Sequence, residues 1–194
     1  MVLSPAGPAR DRAIRNVRWA FDATEHLLSQ MLEHLRLESG EVTPQIEDVA
    51  MGPLIAGVAE MHEPAARLAQ VSIAAMPTRL VARCDRTLTE RALSNLVSNA
   101  IRHAKAGRLL IGARRREDRV QIWVIDNGVG IPAADLPRLF DDHVRGSNHG
   151  DEIRGGFGLG LASTRRITGL MRGAAGHDRR WTTGSAFWIE LPLA

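Results

Sequence analysis

Asn95 and Asn99 stand one helical turn apart, Asp126 is followed by Asn127-Gly128-Val129-Gly130-Ile131, and Gly156, Gly158 and Gly160 alternate with Phe157, Leu159 and Leu161. An amide oxygen is a neutral, hard ligand, so Asn99 could hold Mg2+ only where water and phosphate oxygens complete an octahedron, which makes metal binding nucleotide-dependent. A carboxylate followed by glycines, which let backbone approach a flat ligand, can accept a hydrogen bond from an exocyclic amine such as that of adenine. Glycines that open a helix leave N–H groups and the positive end of its dipole to phosphate oxygens, an attraction of about 0.3–1 kcal/mol. Each block alone also has a plainer reading: amides capping nearby loops, an Asp-Asn-Gly turn, a glycine turn. In this order, with Leu139-Phe140 between the second and third, they restrict one another and outline a pocket for Mg-ATP.

The elements that must carry these residues can be read from periodicity. Thr87 with Glu90 forms a capping-box start for a helix running to about Ala104 and ended by Gly107. On it Asn95, Asn99 and His103 share a face with Arg102, while Leu93, Leu96, Val97, Ala100 and Ile101 cover the remainder. Leu109 to Arg114 and Val120 to Asp126 read as a hairpin whose second strand delivers Asp126 to its end, with the mixed charges from Arg114 to Arg119 as a solvated turn. A short helix is expected over 134–140, a mobile loop over 141–156, a helix over 159–171 and a closing strand over 186–191. Upstream, Val42 to Val49 resembles an edge strand, Pro53 opens a helix with Leu54, Val58 and Met61 on one face, and 71–75 and 80–82 look like strands.

Before these, Val17, Phe21, Thr24, Leu28, Met31 and Leu35 recur at alternating spacings of three and four from Ile14 on, the seam of a pairing helix. Such a stripe needs a partner helix or a second copy of the chain, so a homodimer through this helix is expected; folding back on its own domain is the alternative. Gly40 suits a left-handed C-cap and marks a boundary. The expected organisation is a disordered tail at 1–10, the helix and linker at 11–40 and a globular domain at 41–194.

The 194 residues are 44% hydrophobic and 24% charged, enough to bury a core. No apolar run approaches the roughly 18–20 residues that cross a bilayer, and residues 1–10 lack the apolar centre of a signal peptide. The segment is therefore expected in the cytoplasm without membrane contact of its own, a longer protein being compatible with inner-membrane anchoring. The single cysteine, Cys84, excludes a disulfide framework or a cysteine-rich zinc site and reads as a small core residue. A formal charge of +3, with no aromatic residues interleaved among Arg114 to Arg116, gives no reason to expect nucleic acid.

No Gly-Lys-Ser or Gly-Lys-Thr follows the last glycines and no strand runs into them, which excludes a Walker loop and a dinucleotide fingerprint. The blocks instead resemble the ATP-binding domain of sensor histidine kinases, within the superfamily that includes gyrase, the Hsp90 chaperone and MutL. Asn95 to Asn99 looks like the N box, Asp126 to Ile131 the G1 box, Leu139-Phe140 the F box and Gly156 to Leu161 the G2 box, in family order over about 41–194. The resemblance implies an α/β sandwich of the Bergerat type, a mixed and mainly antiparallel sheet with helices on one face, preceded by a long helix. It implies Mg2+ on Asn99, the adenine amine on Asp126, Asn95 and Arg102 near the phosphates, His103 against the base and Arg145 reaching phosphate from a lid at 141–157. Gly128, Gly130, Ile131, Phe140, Gly156, Gly158, Leu159, Gly160 and Leu161 would complete the nucleotide pocket.

The ATPase branches place a glutamate one turn before the metal asparagine as general base; Asn95 stands there and cannot take a proton. The resemblance then implies transfer of the γ-phosphoryl to a histidine, and onward to a response regulator, rather than hydrolysis. Residues 11–39 resemble the second helix of the dimerisation and phosphotransfer domain, joined through Arg36-Leu37-Glu38-Ser39-Gly40. His26 and His34 lack the acid and proline of a phosphoacceptor motif, and His143, His149 and His177 fall in expected loops or turns, so the acceptor is expected on a segment this chain lacks. The alternatives are a decayed nucleotide-binding or dimerising module, and a serine kinase of the anti-sigma type.

Overall fold

The computed structural model describes residues 14, 17, 28, 31–32, 35–37, 39–103, 107–141, 158–178, 180–181 and 183–194. Strand β1 (Glu47–Ala50), helix α1 (Met51–Leu68), β2 (Ser72–Ala75), β3 (Val81–Cys84), helix α2 (Arg86–His103), β4 (Arg108–Arg116) and β5 (Arg119–Asp126) follow in order. Helix α3 (Gly160–Leu170), β6 (Ala174–His177) and β7 (Ser185–Pro192) complete the chain. Five strands form one sheet in the order β2-β4-β5-β7-β6, with β2 parallel to β4 and every other pair antiparallel. The small β1–β3 ribbon is tied to the chain end by the Ala82–Leu193 bridge.

Alternation along the strands turns Leu109, Ile111, Val120, Ile122 and Val124 toward the helices, where they meet Leu54, Ile55 and Val58 of α1 in one core. The five apolar residues expected to cover α2 away from its asparagine face, Leu93, Leu96, Val97, Ala100 and Ile101, are all buried. Cys84 is fully buried, and burial pushes its thiol pKa up. The expected sandwich of a mainly antiparallel sheet with helices on one face is the observed one.

Several boundaries differ from expectation for physical reasons. Helix α2 is capped by Asp85, whose Oδ1 accepts from the Leu88 N–H at 3.0 Å, so Thr87 is already inside the helix. Strand β1 starts five residues later than the expected 42–49 and runs one residue past it, over Glu47–Ala50, and Met61 on α1 is exposed rather than part of its core face. The arginines at 114–116 extend β4, leaving Glu117 and Asp118 as a tight turn with Glu117 at φ 56°. Pro132 and Pro137 confine the expected helix at 134–140 to a 3-10 turn at Leu136–Arg138. Strand β6 had no sequence signal: Ala-Ala-Gly-His has little β propensity and is held by its ladder to β7.

Gly40 adopts φ 73° and the Ser39 N–H bonds to the Leu35 carbonyl, the expected helix stop. Of the pairing stripe, Phe21 and Thr24 lie outside the described residues, whereas Val17, Leu28, Met31 and Leu35 are helical and exposed. His26, His34, His143 and His149, none of them expected to be the phosphoacceptor, also lie outside the described residues. No helix among the described residues is long and apolar enough to cross a membrane.

Candidate functional site

Asp126 ends β5 at the centre of the sheet, 2% exposed. Its Oδ1 accepts from the Gly128 N–H at 2.8 Å and the Ser185 N–H at 3.2 Å, while the Ser185 hydroxyl donates to Oδ2. The carboxylate is thus oriented by donors from the loop after β5 and from the first residue of β7 before any ligand arrives. Around it the backbone closes tightly. A Cβ built on Gly128 would lie 2.9 Å from Asp126 Oδ1 and closer still to the His103 carbonyl oxygen; Gly130 sits at φ 74°, its would-be Cβ 3.2 Å from the Gly184 carbonyl. Gly184 itself has φ 100°, and a Cβ there would stand 2.6 Å from the Asn127 Cα.

Ser185 and Gly184 are functional candidates that the sequence reading missed. Their signal was faint: a glycine and a small hydroxyl residue at the start of the last strand, with no motif spacing to Asp126. Register supplies what spacing could not, since Asp126 and Ser185 are paired across the β5–β7 ladder.

Helix α2 crosses beside this loop. Asn95 and Asn99 are partly buried and Arg102 is exposed on its last turns, and His103 is partly buried with its carbonyl against Gly128. Both asparagine side chains are partly exposed, so an approaching ligand can reach their amides. The opening of α3 reaches the same helix: a Cβ on Gly160 would lie 3.9 Å from the Asn95 Cβ, and the Thr164 hydroxyl bonds to the Gly160 carbonyl and, at 3.4 Å, to that of Ala92. Helix α3 starts without a side-chain cap, leaving first-turn N–H groups unpaired inside the helix, and Gly158 just before it has φ 74°. Leu159 is buried and Leu161 packs on the core with Ile131 and Phe140.

The far end of α2 is fixed as well. The Asp85 N–H donates to Met171 Sδ at 3.2 Å, and Met171 is the residue that closes α3. Phe140 stacks on His177, ring centroids 6.4 Å apart, and meets the edge of Phe187 at 6.3 Å. His177, expected in a loop, is therefore a β6 residue packed between aromatic rings. A cavity of about 370 Å3 lies beyond Phe140, lined by Asp141, Ala162, Arg165 and Arg166, and does not include Asp126.

The fold thus brings Asp126, Gly128, Gly130 and His103 together at one end, and Asn95 with Gly160 at the other, along one face of α2. Arg145 and Gly156, and the expected lid apart from Asp141, lie outside the described residues. Among the described residues no cluster of three His, Cys, Asp or Glu side chains could hold a metal alone. A metal bound through Asn99 would need oxygens from another molecule, which fits an ion carried by phosphates.

Residues 84–194 match the family described as histidine kinase-, DNA gyrase B-, and HSP90-like ATPase. Sensor-like histidine kinase SenX3 of Mycobacterium tuberculosis is 35% identical over 174 residues, covering 86% of this chain and 41% of SenX3. Sensor histidine kinase AruS of Pseudomonas aeruginosa is 29% identical over 201 residues, covering 95% of this chain and 19% of AruS. The crystal structure of full-length ShkA in complex with AMPPNP superimposes with a TM-score of 0.80 at 26% identity, covering 98% of this chain and 40% of that one. The chain accordingly spans less than half the length of these relatives. With a family match across more than half of its residues, the chain belongs to the histidine kinase-, DNA gyrase B- and HSP90-like ATPase family.

Proposed function

We propose that the chain is the ATP-binding catalytic part of a two-component sensor histidine kinase, transferring the γ-phosphoryl group of ATP to a histidine of a dimerisation domain, with a response regulator as the next acceptor. The observation that carries this reading is the buried Asp126 carboxylate, wired to Gly128 and Ser185 beneath a loop too tight for side chains. It would accept the hydrogen bond of the adenine amine, with Ile131 and His103 bordering the base. Asn99 would hold Mg2+, which when bound supplies charge neutralisation on the phosphates. Asn95 and Arg102, together with the first-turn N–H groups of α3 at Gly160 and Leu161, would orient the phosphate chain.

Asn95 also argues for transfer over hydrolysis. An amide cannot take a proton from water, so nothing at that turn of α2 activates a water nucleophile. Catalysis would then rest on positioning and on charge placed around the transferring group, as phosphoryl transfer generally requires. The helix at 11–39 would pair with the same helix of a second copy, its exposed Val17, Leu28, Met31 and Leu35 supporting that reading.

Calorimetric titration of Mg-ATP into the wild-type chain and into Asp126→Asn tests the proposal. The expected result is binding in the wild type and a loss of at least about tenfold, roughly 1.4 kcal/mol, in the variant. Acid-labile phosphate on a separately supplied acceptor domain would establish transfer. A folded wild-type chain without affinity for ATP overturns the reading.

A further inference from the structure

In a two-layer sandwich the sheet face turned away from the helices meets water and alternates to polar side chains. Here register carries an apolar layer across that face. Gly112, Trp123, Trp188 and Gly176 stand side by side on four strands, and Met76, just after β2, continues the row by lying 3.4 Å from where a Gly112 Cβ would be. The next row is Ala74, Leu110, Ile125 and Ala186. The Trp188 ring occupies the space a side chain at Gly176 would need, and the two indoles are tilted with centroids 6.5 Å apart. Met76 is 50% and Leu110 37% exposed, with both tryptophans partly exposed between them.

A buried amide sets the orientation of this layer. Gln121, 1% exposed, accepts at Oε1 from Arg114 Nε at 3.1 Å, Arg114 Nη2 at 2.9 Å and Trp123 Nε1 at 3.0 Å, and its Nε2 donates to Glu190 at 3.3 Å. Arg114 also lies over the Trp123 ring, 4.8 Å from its centroid. A guanidinium and an indole are thereby fixed on an outer surface, where a merely solvated strand would leave both free.

The charge around the layer is cationic. Alternation places Arg108, Arg114 and Arg116 on the same outward side of β4, and Glu190 offsets one of them, 3.8 Å from Arg116. A second copy of this face would bring arginines against arginines. Single-stranded nucleic acid would need free ring faces, whereas Arg114 covers Trp123 and the Gly176 backbone covers one side of Trp188. We infer that this outward sheet face, centred on Leu110, Trp123 and Trp188 and bordered by Arg108, Arg114 and Arg116, docks an acidic amphipathic segment of a protein partner. The apolar ridge of that segment would seat on the indoles and its flanking carboxylates on the arginines.

The test uses the full 194-residue chain and a synthetic amphipathic peptide of about 18 residues, leucine and phenylalanine on one face and glutamate on its flanks. A lysine-for-glutamate counterpart and an oligothymidylate serve as comparison. The glutamate peptide is expected to bind, to shift tryptophan emission, and to weaken at least about tenfold in Leu110→Asp and in Arg114→Glu. Met76→Glu, at a half-exposed position, provides a second apolar variant if Leu110→Asp does not fold. Mg-ATP affinity, measured on the same samples, should stay unchanged, which separates this surface from the proposed nucleotide site. Absence of binding, equal binding of the lysine peptide, or indifference to the variants overturns the inference. So does preference for the oligothymidylate, or a dimer in sedimentation that Leu110→Asp dissolves.

Discussion

Gly184→Ala presses on the backbone of Asp126 and Asn127 rather than on the Asp126 carboxylate. Gly184 has φ 100°, and its Cβ would stand 2.6 Å from the Asn127 Cα and the Asp126 carbonyl carbon, inside the 3.0 Å that such carbons keep. The left-handed conformation costs alanine about 1–2 kcal/mol. The overlap is with backbone, which cannot swing aside as a side chain tip would, and adds about 1–3 kcal/mol. A total near 2–5 kcal/mol corresponds to a fall in Tm of roughly 4–20 °C for a chain of this size. Because the backbone that must yield carries Asp126, Mg-ATP affinity should fall with it. Gly57→Ala, in the middle of α1 with nothing within 4 Å, is the internal comparison. It should stabilise by about 0.5–1 kcal/mol through helix propensity alone. Thermal melts and calorimetry on the three proteins decide the matter. An unchanged Tm and unchanged ATP affinity in Gly184→Ala would refute the packing of this loop against Asp126.

Two further outcomes follow from local structure. Asp85→Ala removes the acceptor for the Leu88 N–H and, at 2.8 Å, for the Gln45 N–H, and should cost about 1–2 kcal/mol in denaturant melts, whereas Thr87→Ala should cost much less; equal losses would restore Thr87 as the cap. Burial lowers the His62 pKa, with its Nε2 buried and unpaired, so the folded state takes a proton less readily than the unfolded chain. The stability from neutral His62 is complete above about pH 6.5 and is lost as pH falls through the depressed folded value. Tm measured from pH 7.5 to 5 should therefore decline more in the wild type than in His62→Gln, and parallel curves would remove His62 from the account.

What the sequence made legible was what is local. The face of α2 that holds Asn95 and Asn99, and the end of β5 that delivers Asp126, follow from helical and strand periodicity, and both lie where expected. Contacts fixed by register were not legible. Ser185 reaches Asp126 across 59 positions of sequence, and Met171 reaches Asp85 across 86, with no spacing rule to announce either. The hairpin arginines misled for a related reason: as a string they are a solvated turn, but pairing places Arg114 beside Trp123 and Gln121, where the string becomes a surface. The capping error at Thr87 is of another kind. Asp85 and Thr87 are both good N-caps with suitable neighbours, and the choice was made by Met171 and Gln45 arriving from elsewhere.

Asp126 has a chemical consequence beyond its place in the site. A carboxylate offers about four lone-pair directions, and three donors of its own chain, the Gly128 and Ser185 amides and the Ser185 hydroxyl, already occupy most of them. What is left over is aimed by the backbone before any base arrives, and it can only accept. On the proposed reading, a purine bearing an amino group at that point completes the set, while one bearing a carbonyl oxygen meets lone pairs with lone pairs. Rejection of guanine would then require no excluding side chain; it would follow from the lone pairs of a carboxylate that the loop has aimed at the base.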